Sequence, residues 1–505
     1  MQLTALNIIP KPAETKMLTG AFVLSRDFLV YGSTALPANE LTVWLDLLHQ
    51  CLPQDCNAQY QITPNGHAAN LLISINPDCC DAKPEAYVLR VTTEQIQITA
   101  TDTAGVFYAL QSLTALIRTH RKQAAIPCCE ITDYPRYAWR GFMLDSARHF
   151  QEVAWIKQHI DRMAALKLNR LHWHLCDDQA WRAQVDAYPK LTDIAAWRTE
   201  NGKRYGGYYT KNQMRDIVQY ARDRHITVIP EIEIPGHCNS ALVAYPELSC
   251  SGEAIDIDHD GWDAYTQSAG RFPYCAGKPQ VYAFLKTVLS EMAEIFTQQL
   301  HIGGDETPGE KWDQCPVCSA IKTKLGLTTN IALRTHVLGQ IHDHVQQTLD
   351  RQTIAWTDGV DDQIPNGQIV HAWFAHEAAT AARKGYAVIN SNHEWVYLDY
   401  PALEADRPTK PDWMLVLPLE KVYHFDPTPE GLEKEYQTNI LGSESPIWTE
   451  YAENEKALEK QIFPRLIAFA EALWSPKLGR SFDEFAQRLE QYEHSKPRKR
   501  QALSV

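Results

Sequence analysis

The sequence predicts an α/β chain: a (β/α)8 TIM barrel preceded by a small α/β domain. Three observations carry that prediction. Past residue 134, eight short apolar runs alternate with helical stretches over about 350 residues. Before it, apolar residues fall at every second position, as in a half-buried sheet. Polar and aromatic side chains collect at the C-terminal ends of the later runs, where barrels of this kind carry their chemistry.

In chain order, Tyr87–Val91 and Gln95–Thr99 alternate as strands, and Gly105 opens an amphipathic helix over Val106–Ile117. This first unit, 1–133, holds no cluster of carboxylates or histidines and reads as a support module. Ile131–Arg136 reads as a linker, with Pro135 enforcing an extended backbone. Barrel strands are expected within 134–487 at Gly141–Leu144, Asn169–Leu175, Thr227–Ile232, Leu300–Ile302, Thr353–Trp356, Ile369–Trp373, Ala387–Asn390 and Ile440–Gly442. Helices are expected at Trp155–Leu168, Lys211–Arg224, Ala283–Gln298, Ile331–Leu349, Ala375–Lys384 and Ile462–Leu473. Residues 488–505 read as a C-terminal tail, basic and unpatterned from His494.

The 505 residues carry 48 basic and 62 acidic side chains, a formal net charge of −14. That balance repels nucleic acid and anionic membranes at long range, so neither is expected as a partner. With 45% hydrophobic and 22% charged residues, the chain has the composition of a folded globular protein. No apolar run reaches the roughly 18 residues that a membrane span requires. Met1–Lys16 mixes prolines with charges, so no secretory signal is expected within this chain. The expected compartment is cytoplasmic if Met1 is the native start, and periplasmic or extracellular if a signal was removed. Twelve cysteines are too few for a disulfide scaffold. Cys315-Pro-Val-Cys318 lacks a second pair of the same kind and reads as a structural loop rather than a zinc site. Cys250 and Cys275 lie in one long loop and could pair in an oxidising compartment.

The runs end in Asp145, Arg148 and His149; Asp177 and Asp178; Glu231, Glu233 and His237; Asp305 and Glu306; Trp356; Trp373; Tyr397 and Asp399; and Trp448 and Glu450. Their common placement at strand ends predicts a pocket. The sharpest element is His301-Ile-Gly-Gly-Asp-Glu306. Two glycines permit a tight turn beside a ligand. Two adjacent carboxylates can then divide into one ionised and one protonated group. Such a division suits glycoside hydrolysis, which needs an acid at the leaving oxygen and negative charge near the anomeric carbon. The same pair also fits an Asp that caps the following helix, with Glu in its first turn.

Six motifs decide between these readings by resemblance. They are Trp139–Phe150 (WRGFMLDSARHF), His172–Gln179 (HWHLCDDQ), Pro230–His237 (PEIEIPGH), His301–Glu306 (HIGGDE), Tyr397-Leu-Asp399 and Leu441–Glu450 (LGSESPIWTE). From Ile8-Ile-Pro-Lys-Pro12 to Glu471-Ala-Leu-Trp-Ser-Pro476 the chain resembles the family 20 glycoside hydrolases, the β-N-acetylhexosaminidases. The resemblance implies a zincin-like N-terminal domain and an exo-acting enzyme. That enzyme releases terminal β-linked N-acetylglucosamine or N-acetylgalactosamine from oligosaccharides or glycoconjugates with retention. It implies substrate assistance, in which the sugar's own 2-acetamido oxygen attacks the anomeric carbon and forms an oxazolinium ion.

By the same resemblance, Glu306 is the general acid and then base, Asp305 holds the acetamido N–H, and Tyr397 bonds the acetamido oxygen. Asp177 and His237 tune Glu306. Arg140 grips the 3- and 4-hydroxyls, and Asp399 and Glu450 take the 4- and 6-hydroxyls. Trp356, Trp373 and Trp448 wall the acetamido methyl and the ring. Burial among these groups is expected to raise the Glu306 pKa above an ordinary glutamate's value. The resemblance implies no cofactor and no metal. It leaves the oligomeric state open, a homodimer included. The family's Gly-Trp-Asp-Glu at the fifth strand reads Ala355-Trp-Thr-Asp358 here, so the leaving-group side is expected to differ where Thr357 replaces a carboxylate. Asn392-His-Glu-Trp395 matches no pattern.

Three alternatives compete. His172-Trp-His174 superficially suggests a metal-dependent amidohydrolase, although the pair sits on the second strand and no bridging lysine follows; structural histidines are the expected reading. The tryptophans alone also fit a catalytically inactive carbohydrate-binding barrel. A hydrolase with Asp305 as a direct nucleophile is the third.

Overall fold

The computed structural model describes residues 6–24, 27–33, 36–49, 59–62, 69–120, 123–255, 259–358 and 364–495. The N-terminal unit is one seven-stranded mixed sheet. Its spatial order is Glu14–Val23, Ala125–Asp133, Tyr87–Val91, Ile96–Ala100, Leu71–Ile75, Asp27–Gly32 and Gln59–Ile62. The alternation read in the sequence is literal here: Tyr87, Leu89 and Val91 are buried and Arg90 is exposed. The expected helix runs from Thr103 to Thr119, and Asp102 caps it by accepting the Gly105 N–H at 2.8 Å.

The Ile131–Arg136 linker is shorter than expected, because the sheet's last strand continues to Asp133. That residue is a junction. Its carboxylate accepts from Tyr87 at 2.6 Å, from Lys167 at 2.8 Å and from the Trp474 indole at 2.9 Å, so it ties the sheet to the barrel.

Eight parallel strands close the barrel. In order they are Trp139–Asp145, Arg170–His174, Thr227–Glu231, Gln299–His301, Gln352–Thr357, Ile369–Ala372, Val388–Asn390 and Ile440–Ile447. The last pairs with the first, Gly442 opposite Trp139. All eight expected strands and the helices between them are present. Val153–Ala165, Lys211–Arg222, Pro279–Ala293, Asn330–Gln347, Ala375–Arg383 and Arg465–Trp474 are the helices that match the expected six. The chain end differs from its expected tail: a helix spans Phe482–Ser495. It is held because Arg488 is buried and forks onto Glu471 at 2.6 and 2.8 Å. Among the described residues no helix is long and apolar enough to cross a membrane.

Polar groups fill the barrel's inside. Glu231 takes His301 at 2.8 Å, His172 at 3.1 Å, His174, and the Trp356 indole at 2.7 Å. Glu444 takes the other side of His172 at 2.8 Å. Burial is the largest effect and works against protonation, but Glu231 together with Glu444 lifts His172 to about 9, and Glu231 together with Asp177 and Asp145 lifts His174 to about 10. Both histidines of the His-Trp-His run are tied to carboxylates of the barrel interior.

Candidate active site

The strand ends converge on one mouth. The fourth strand stops at His301, and Gly303 and Gly304 turn the chain with φ of +62° and +114°. A Cβ on Gly303 would lie 2.0 Å from Glu233 Oε2, so only glycine fits. Asp305 and Glu306 follow, with Glu306 itself left-handed at φ +40°. The Glu306 backbone N–H donates to Asp358 Oδ2 at 2.6 Å, which Arg334 also holds at 3.0 Å. The carboxylate missing at Thr357 therefore has a neighbour, Asp358, that pins the acid loop itself.

The two carboxyls differ sharply. Burial, with Asp358, Glu231 and Glu306 adding to it against His237, pushes Asp305 up to about 7. Its Oδ1 is buried without a hydrogen-bond partner. Glu306 goes the other way. His237 and the nearby Arg271 hold it at about 2 despite partial burial. Arg271 Nη1 lies 2.9 Å from Glu306 Oε2, and His237 Nε2 lies 3.5 Å from the same oxygen. The expectation that burial raises Glu306 is therefore overturned, because its side chain is half exposed and meets a guanidinium.

Asp177 stands on a two-stranded hairpin, Cys176–Asp177 with Ala180–Trp181. Its Oδ1 faces His237 Nδ1 at 3.1 Å, giving a chain from Asp177 through His237 to Glu306. Burial alone would raise Asp177, but Arg148 and His237 hold it well below the usual carboxylate range. His237 is correspondingly raised well above an ordinary histidine against the cost of burial, chiefly by Asp177.

Tyr397 and Asp399 follow the seventh strand, and the unassigned Asn392–Trp395 segment explains how. It is a single helical turn, His393–Val396, capped by Asn392 and braced by His393 on Tyr400 at 2.7 Å. Burial keeps the Tyr397 phenol well above its ordinary value, and the nearby Asp399 adds to this. Burial and Glu450 raise Asp399 to about 7, and its Oδ1 is buried without a partner. The Trp448 ring lies 6.2 Å from Trp356 and 6.5 Å from Tyr397, and the Trp373 indole donates to the Thr357 carbonyl at 2.9 Å.

Arg140 does not join this group. It is fully buried near the start of the first strand, bonded to the Lys167 and Tyr137 carbonyls at 2.8 Å and paired with Glu85 of the N-terminal unit at 2.8 Å. Asp145 ends that strand five residues further on, so about 17 Å separates Arg140 from the mouth. The arginine at the mouth is Arg148. It meets Asp177 at 2.8 Å, Gln179 at 2.8 Å and Glu450 at 3.6 Å, and lies 5.1 Å from the Trp448 ring centroid. Both arginines belong to one motif, and the strand-end rule selects the second.

Two further groups went unassigned in the sequence reading. Arg271 enters from a loop with no local signal. Glu233 is buried behind Gly303 with neither oxygen hydrogen-bonded, and burial beside Asp305 and Glu231 raises it well above the usual carboxylate range. Among histidine groups that could ligate a metal, His172, His301 and His371 lie close together, but Glu444, Glu231 and Ser391 already engage them.

Comparison with known proteins shows the family. Residues 137–477 match the glycosyl hydrolase family 20 catalytic domain, and residues 5–134 match family 20 domain 2. A beta-hexosaminidase of Porphyromonas gingivalis is 34% identical over 96% of this chain, which spans 62% of that protein. One from Akkermansia muciniphila is 34% identical over 86% of this chain and 90% of its own length. The solved exo beta-N-acetylglucosaminidase of Vibrio harveyi in complex with N-acetylglucosamine superposes with a TM-score of 0.83 at 30% identity, covering 97% of this chain and 77% of that one. The beta-N-acetylhexosaminidase of Bacteroides fragilis superposes at 0.82 and 31% identity, covering 97% and 96%. With both of its domains matched, the chain belongs to glycosyl hydrolase family 20, the β-N-acetylhexosaminidases.

Proposed function

We propose that this glycoside hydrolase removes terminal, non-reducing β-linked N-acetylglucosamine or N-acetylgalactosamine from oligosaccharides or glycoconjugates, using the sugar's own 2-acetamido group. The reading rests on Asp305, whose buried Oδ1 lacks a donor and whose carboxyl is pushed up to about 7. A carboxyl half protonated near neutrality is a poor resident nucleophile. It is a suitable acceptor for an amide N–H that the substrate brings into a dry site.

In this mechanism the acetamido oxygen bonds to the anomeric carbon as the glycosidic bond breaks, and Glu306 gives its proton to the leaving oxygen. Ionised Asp305 accepts the acetamido N–H and offsets the positive charge that develops on it. Tyr397, kept as a phenol, donates to the acetamido oxygen. Glu306 then takes a proton from water as that water opens the oxazolinium ring, and configuration is retained. The Asp177–His237 pair positions Glu306. Arg148, Asp399 and Glu450 hold the ring hydroxyls, with Asp399 Oδ1 ready for a donor. Trp356, Trp373 and Trp448 enclose the methyl group and the ring. N-acetylglucosamine in the Vibrio harveyi relative supports that sugar as ligand. Residues 1–133 serve as a support unit, and the barrel starts at 134.

The test is Glu306→Gln. We expect about 10²- to 10⁴-fold loss of kcat on a natural β-N-acetylglucosaminide with binding retained; full activity would sink the proposal. A 2-hydroxy sugar should be inert and a thiazoline analogue should inhibit tightly. The opposite pair of results would instead favour Asp305 as a direct nucleophile.

A further inference from the structure

Four cysteines far apart in sequence meet where two loops that follow barrel strands cross. Cys250 and Cys275 come from the loop after the third barrel strand, and Cys315 and Cys318 from the segment after the fourth. Their sulfurs all lie within 4.8 Å of one another. The distances are 3.5 Å from Cys275 to Cys318, 3.8 Å from Cys250 to Cys318 and 3.9 Å from Cys275 to Cys315. The lone Cys-x-x-Cys of the sequence therefore has its second pair after all, supplied by Cys250 and Cys275.

We propose that Cys250, Cys275, Cys315 and Cys318 form a structural tetrathiolate site for one zinc ion. Tetrahedral ligation at 2.3 Å sets sulfurs about 3.8 Å apart along every edge, close to the separations seen. A disulfide needs sulfurs near 2.05 Å in exclusive pairs. Here Cys318 faces both Cys250 and Cys275, and Cys275 also faces Cys315.

The surroundings suit a thiolate cluster. Cys275, Cys315 and Cys318 are buried and Cys250 is partly so, giving a closed site with no open position for chemistry. Cys315 occupies the position just before the helix Pro316–Leu325, whose N-terminal amides favour negative charge. The Gly277 backbone amide favours the thiolate form of both Cys275 and Cys318. A side chain at Gly277 would strike the Val317 carbonyl at 2.6 Å, so the two ligand loops touch backbone to backbone. The Trp312 indole donates to the Tyr274 carbonyl at 2.9 Å and fixes the same crossing. Binding releases four protons as four thiols become thiolates around one dication. The ion would staple the loop that carries Arg271 to the segment that follows Glu306.

The test is metal analysis of the full chain purified without chelator under reducing conditions. We expect one zinc per chain after desalting, released stoichiometrically when an organomercurial titrates the thiols. Cys315→Ser with Cys318→Ser should cut zinc to below about a tenth of an equivalent and lower Tm, while Cys79→Ser should change neither. If the double variant does not fold, cobalt exchange into the unmutated chain reads the ligands directly, through the thiolate charge-transfer and tetrahedral d–d bands. Metal-free protein that takes up no zinc would overturn the proposal. Disulfides among the four in freshly isolated protein, or a red iron tetrathiolate, would also overturn it.

Discussion

Arg271 and Glu306 are paired, with Nη1 2.9 Å from Oε2, at the oxygen that His237 approaches from within the site. The proposed acid is thus held ionised by a cation that has no other role in the proposed mechanism. A substrate entering the mouth must separate the pair before Glu306 can carry a proton to the leaving oxygen. Replacing Arg271 with Met should raise the Glu306 pKa from about 2 toward the ordinary value of about 4.3. The unmutated enzyme should keep kcat/KM flat on the acid side down to the pH at which it unfolds. The variant should lose kcat/KM as pH falls toward about 4. Superimposable acid limbs would show that Arg271 does not act on Glu306.

The single proton shared by the two carboxyls resides mainly on Asp305 in the free enzyme, because burial lifts it to about 7 while Glu306 is lowered. Above that pH the pair holds no proton to give. The expected kcat/KM profile therefore falls as pH rises through about 7. Asp305→Asn should lower kcat about 10²- to 10³-fold, the scale of losing one oriented electrostatic partner. Its residual activity should fall at lower pH, with the ionisation of Glu306. A variant profile that still breaks near 7 would assign that limb to another group.

Arg148 and Arg140 make opposite predictions. Arg148→Met should raise KM and depress kcat/KM for N-acetylglucosaminides, because it removes a fork facing Glu450 and Trp448 at the mouth. Arg140→Met should leave KM unchanged and cost about 3–5 kcal/mol of stability, since it strips a buried cation from Glu85 and two carbonyls. Steady-state kinetics beside urea unfolding separates the two. A normal Tm with a raised KM in the Arg140 variant would restore it to the sugar site.

Asp399 supplies a stability test with a definite sign. Its folded pKa of about 7 lies above the ordinary aspartate value of 3.8, so folding takes up a proton. That stabilisation is complete below 3.8 and is lost as pH rises through about 7. It amounts to at most on the order of 4 kcal/mol by the usual conversion. Unfolding free energy should therefore drop between mildly acidic and mildly alkaline pH, and Asp399→Asn should shallow that drop. An unchanged slope would mean that Asp399 is already ionised in the fold.

The barrel was legible because each strand announces itself locally. Thr227–Glu231 and Ile369–Ala372 are apolar runs of the right length, and the helices between them keep a 3.6-residue period. Asp305 and Glu306 were legible for a related reason, since adjacent carboxylates behind two glycines need no tertiary knowledge to be noticed. Arg140 was misread because a motif fixes which residues travel together and not which of them reaches the mouth. Only the rise along Trp139–Asp145 separates it from Arg148. The Glu306 ionisation was misread because its decisive neighbour, Arg271, sits 35 residues upstream on an irregular loop. Cys250 and Cys318 meet across 68 residues, through two loops whose approach depends on Gly277 having no side chain.

Asp133 gives the seven-stranded sheet a duty beyond shape. Lys167, from the barrel, is entirely enclosed, and its counter-charge comes from a carboxylate that the neighbouring unit contributes. Cut away from that neighbour, the eight-stranded half would be left holding an ammonium in a dry interior with nothing to balance it, and a lone indole N–H on Trp474 besides. The two halves are therefore one folding unit in electrostatic terms, and trimming the chain to its catalytic portion would remove part of what keeps that portion folded.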